Sequence, residues 1–111
     1  MRAVGVCDLD LMARVLLAHP RACWASLARE MIEDAHVADK WRKRKGRPHP
    51  AGGTGSLYAQ ASLYPRSTSG RAHRDYCRAL NCATGAVIAW RDRGASGAIS
   101  GRDGTHHRFN L

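Results

Sequence analysis

The chain has 111 residues and a net charge of +9, enough for one small domain with a strongly cationic surface. Leu, Ile, Val and Phe together number eighteen, about 16% of the chain and no more than Ala alone, so the core is small and self-association is expected to help stabilise it. No apolar run approaches the ~18 residues that span a membrane, and acids interrupt the N-terminal segment where a secretory core would lie. A reduced, cytoplasmic protein without a membrane partner is expected.

The first helix is placed by Leu9, Met12, Ala13 and Leu16, which recur at i, i+3, i+4 and i+7, with Asp8 as candidate cap and Leu17 widening the stripe. His19-Pro20 ends it, because the residue before a proline is driven out of the helical region. A longer second helix starts near 20–22 and carries Trp24, Leu27, Ala28, Met31, Ala35 and Ala38 on one face. It is expected to run through Lys45 and stop at Gly46, a natural C-terminal stop. The fold class is therefore all-α, with 1–45 forming a hairpin of two antiparallel helices.

Residues 46–74 read as a Gly/Pro-rich loop followed by a short helix at 56–64, capped by Ser56 and stopped by Pro65. Asp75 opens a C-terminal helix over 75–92, with Tyr76, Leu80, Ala83, Val87 and Trp90 on one face. Gly85 inside it costs about 1 kcal/mol relative to Ala. Residues 93–111 carry almost no apolar pattern and are expected to be a flexible tail.

Charge is segregated along the chain. Residues 1–39 carry −2, residues 40–47 carry +6 with no acid, and the remainder carries +5. The run "KWRKRKGR" puts six cations into eight residues, more than is needed to complement a helix dipole. Their mutual repulsion is best relieved by a polyanion, with phosphate contact and counterion release as the driving term. Lys40, Arg42, Lys43, Arg44, Lys45 and Arg47 are the expected phosphate contacts. Trp41 adds a stacking surface, as do Tyr58 and Tyr64 beyond the loop. Nothing in the run reads bases, so sequence preference should be weak.

Other chemistry finds little support. "AGGTGS" lacks the Lys-Ser/Thr ending of a phosphate-binding loop and follows no strand, so loop flexibility is taken to explain its glycines. The four cysteines and six histidines show no metal-ligand spacing. Glu30, Glu33 and Asp34 share one side of the second helix, where carboxylates are ordinarily just solvated. The same acids argue against that helix as a groove-reading element. No cofactor, metal or catalytic residue is expected, and the protein is not read as an enzyme.

The segments "MRAV…DLDLMARVLL…P…WASLAREM" and "RKRKGRPHP…G.GSL" resemble a group of short proteins from Rhodobacter-related alphaproteobacteria. These belong to gene transfer agent clusters and act there as the small terminase. The resemblance covers roughly 1–65, with a fainter echo to about 92. It implies a non-enzymatic DNA-packaging adaptor that forms a homo-oligomer, binds double-stranded DNA non-specifically and presents it to the large terminase. The alternative is a protein-binding inhibitor or regulator from a phage or mobile element, such as an anti-CRISPR, since those are also short and intracellular.

Overall fold

The structure, a computed structural model, describes residues 1–68 and 74–100, the last six by backbone alone. Its helices are α1 (Val6–Leu17), α2 (Trp24–Lys45), α3 (Leu57–Ala61) and α4 (Arg74–Ser100), with a 3-10 turn at Arg21–Cys23 before α2. Among the described residues there are no strands, only one isolated bridge between His49 and Gly53. The architecture is all-α.

α1 begins two residues earlier than its expected cap. Gly5 takes the extended N-cap position, and Asp8, one turn in, accepts the Gly5 amide at 2.7 Å through Oδ2. The other oxygen of Asp8 accepts the Tyr58 amide at 2.8 Å, so one carboxylate serves the starts of both α1 and α3. Ser56 completes the α3 start by accepting from the Ala59 amide at 3.0 Å. α3 is shorter than expected, ending at Ala61.

The turn after α1 is locked by side chains. The His19 ring donates from Nδ1 to the Val15 carbonyl at 2.7 Å, and Trp24 Nε1 donates to the His19 carbonyl at 3.1 Å. α2 then runs 22 residues to Lys45, and Gly46 stops it in the left-handed region (φ 74°), its amide bonded to the Arg42 carbonyl at 2.8 Å. That position favours glycine because a Cβ there would crowd the backbone.

The two arms of the hairpin share far less contact with each other than each shares with α4. α4 closes the bundle against both, and α3 wedges between them on another side. Being covered by two helices, α1 buries Leu11 and Val15 as well as the expected Met12, Ala13 and Leu16. α4 also runs on past the expected end at 92, keeping helical backbone to Ser100 through Gly94 and Gly97. The rest of the expected tail, 101–111, lies outside the described residues.

Small side chains make up for the scarcity of large ones. Ala13, Ala28, Ala35, Ala38, Ala61, Ala79 and Ala83 are buried beside Met12, Leu16, Met31, Ile32 and Leu57. Alanine at a helix contact lets backbones approach closely, which raises packing without large apolar volume. That is how a chain with so few large apolar residues encloses a core.

Candidate nucleic-acid interface

The last two turns of α2 carry the basic run up to Lys45, and the loop after it is packed rather than loose. His49 and Gly53 exchange amide–carbonyl bonds at 2.9 and 3.0 Å. His49 Nδ1 accepts the Ala51 and Gly52 amides at 3.0 and 2.9 Å, which orients the ring over the turn. Gly55 (φ 92°) lies so close to α2 that a Cβ would sit 2.5 Å from Asp39 Cα. Gly52 likewise lies against Ala38 of α2, and Gly53 takes a left-handed turn position (φ 75°). Close approach and backbone conformation, rather than the expected flexibility, therefore account for the glycines of "AGGTGS".

Asp39 organises the charge at this end. It is 2% exposed and accepts Arg42 at 2.9 Å, Lys43 at 3.4 Å and the Met1 amine at 3.4 Å. Burial alone would raise its carboxyl; the Arg42 hydrogen bond, the Met1 amine and Lys43 outweigh that and hold it at about 2. The Met1 amine also donates to His36 Nδ1 at 2.9 Å. Burial, then the neighbouring amine and Lys40, press the His36 ring down to about 4, so it is neutral at physiological pH. The opposite edge of this node is closed by Trp90 of α4, whose ring lies 5.3 Å from His36.

The seven expected contact residues divide into two groups. At 100° per residue, Lys40, Lys43 and Arg44 fall on one outward stripe of α2, all exposed, and Arg47 is exposed just past Gly46. Lys43 reaches Asp39 yet remains 69% exposed, so its ammonium still faces water. Arg42, on another side, is half-buried and held by Asp39. Lys45 lies over the Trp41 ring at 5.3 Å, and the His49 ring meets the same indole edge-on at 5.0 Å. Trp41 is therefore half-buried and covered, with its Nε1 left without a partner, rather than an open stacking platform.

The other aromatic candidates are engaged elsewhere. Tyr64 packs edge-on to His19, and burial together with the nearby Glu30 and Asp34 pushes its hydroxyl upward. Tyr58 is 47% exposed, and its backbone amide donates to Asp8 at the start of α3. Sequence reasoning missed the Met1–His36–Asp39 node, because a lone acid ahead of a basic run gives no sign that it is buried.

Among the described residues no three His, Cys, Asp or Glu side chains converge as metal ligands. Cys7, Cys23, Cys77 and Cys82 are free thiols. Of the expected carboxylate cluster, Glu30 and Asp34 are exposed, whereas Glu33 is 7% exposed and faces Arg93 at 3.9 Å. No helix among the described residues is long and apolar enough to cross a membrane. No curated protein and no solved structure matches the chain. A family model does match residues 2–87, a span holding α1, α2, α3, the basic run and the loop packed on it: the chain belongs to the family of the domain of unknown function DUF7742.

Proposed function

We propose that the protein is a non-enzymatic DNA-binding adaptor that holds duplex DNA by its phosphates with weak sequence preference. The observation that carries this reading is the outward stripe of Lys40, Lys43 and Arg44, continued by Arg47, at one end of the bundle. The adjacent acid Asp39 is buried and paired with Arg42, the Met1 amine and the stripe's own Lys43. Like charges at i, i+3 and i+4 repel, and a phosphate backbone relieves that repulsion. The covered Trp41 favours contact through charge over contact through base stacking.

The finer reading, a small-terminase-like packaging subunit that self-associates and hands DNA to a large terminase, rests on the sequence resemblance. Its check is the solution mass: a ring-sized oligomer supports it and a monomer opposes it. The test of DNA binding is the triple variant K40Q/K43Q/R44Q, assayed by fluorescence anisotropy on random duplex DNA. Removing three phosphate contacts should lower affinity on the order of 100-fold at 0.15 M salt. Undiminished binding with the fold intact would remove these residues from the interface.

A further inference from the structure

A second set of cations lies along the seam where α4 packs on α2. Successive contacts run in step, Cys82 beside Ala25 and Trp90 beside His36, so the two helices point the same way. Two adjoining clefts open along this seam and share Ala25 and Cys82. One is rimmed by Arg21 and Arg78, the other by Arg29 and Arg93. These four arginines come from positions up to 72 residues apart, and all are exposed.

Their charge is only loosely compensated. Arg78 meets Asp75 at 3.7 Å and Arg93 meets Glu33 at 3.9 Å, with both guanidiniums about half exposed. The Arg78–Asp75 pair faces water on both sides, holds little free energy and exchanges readily for a better anion. Glu33, in contrast, is buried and keeps Arg93 as its partner, so Arg93 stays outside the proposed contacts. Glu30 flanks Arg29 from the neighbouring cleft, about one residue's rotation off the stripe.

The seam and the basic run line up. On α2, Arg29, His36, Lys40 and Lys43 recur within about 40° of one direction at 100° per residue, with Arg44 just beside them; Glu33 falls on the same side but is buried and paired with Arg93. We infer that the α2–α4 seam and the end of α2 form one continuous phosphate track for duplex DNA, from Arg21 through Arg78 and Arg29 to Lys40, Lys43 and Arg44. This inference rests on the DNA-binding reading above and extends it to residues that the basic run does not contain. Twenty-three residues separate Arg21 from Arg44, a path of about 35 Å along the helix, matching about one turn of B-form duplex. The aromatic rings beside the track are covered: Arg21 lies 5.6 Å over Trp24, His36 meets Trp90, and Lys45 and His49 enclose Trp41. A linear row of cations without open rings suits a duplex backbone better than unstacked single strands.

The test is the salt dependence of binding to a random 20-base-pair duplex and to one of its single strands. Seven contacts (Arg21, Arg29, Arg78, Lys40, Lys43, Arg44 and Arg47) give a slope of log K against log salt near −6, at about 0.9 per contact. R29Q/R78Q should flatten it by about 1.8, while R29K/R78K, which keeps both charges, should retain the slope. An unchanged slope in R29Q/R78Q, or tighter binding of the single strand, overturns the track. Should the seam variant be silent while K40Q/K43Q/R44Q still abolishes binding, the track alone fails; if neither variant weakens binding, the DNA-binding reading fails with it.

Discussion

Acid should loosen this fold through His36 before it reaches the buried Asp39. The ring is held at about 4 by burial and by the adjacent amine and Lys40, against 6.5 for a free imidazole. A histidine with a lowered folded value stays neutral in the native state while the unfolded chain takes up a proton. Its contribution is therefore fully present above 6.5 and is lost as pH falls from 6.5 towards 4. At pH 5 the linkage amounts to roughly 2 kcal/mol, and partial solvent exposure reduces that to about 1–2 kcal/mol. The assay is urea denaturation of the wild type and of His36→Gln at pH 7 and pH 5. Glutamine keeps an oxygen to accept the Met1 amine but has no titrating proton, so the variant should lose about 1–2 kcal/mol less than the wild type between the two pH values. Because the chain carries +9 overall, both proteins share whatever acid loss comes from general repulsion, and only the difference reports on His36. Equal losses in the two proteins would refute the account of this node.

The glycines of the basic end should differ sharply in tolerance. Gly46→Ala meets no atom within 4 Å and suffers only from its left-handed backbone, costing about 1 kcal/mol. Gly55→Ala would drive a methyl to 2.5 Å from the Asp39 backbone and should cost at least about 3 kcal/mol, read from denaturation midpoints. Trp41→Phe removes a buried N–H that has no partner, so stability should hold or rise by up to about 1 kcal/mol. The same variant should leave duplex affinity unchanged in an anisotropy titration. A large loss of affinity would return Trp41 to the interface as a stacking group.

The helices were legible where local rules suffice. The proline after His19, the glycine after Lys45 and the serine before Leu57 each mark an end that the structure keeps, because each acts on its own backbone. What escaped was set by long-range packing. Leu11 and Val15 lie outside a single amphipathic stripe, and only the cover of both α3 and α4 explains their burial. The extent of α4 was underread because glycine lowers helix propensity without forbidding the helix. At the interface, composition pointed to residues 40–47 as a block, but it could not separate the outward Lys40, Lys43 and Arg44 from Arg42, which Asp39 holds, or from the covered Trp41. That division follows from the helical period once the buried side of α2 is fixed by α4. Arg29 shares the stripe and was readable in hindsight; Arg78 and Arg93 reach the seam only through the tertiary fold.

The measurement that bears most directly on the central claim is the affinity of the wild-type protein for random duplex DNA between 50 and 200 mM salt. Four to seven phosphate contacts predict a fall on the order of 10²- to 10⁴-fold over that range, the same for duplexes of unrelated sequence. Binding that barely responds to salt, or no binding at 50 mM, would contradict it.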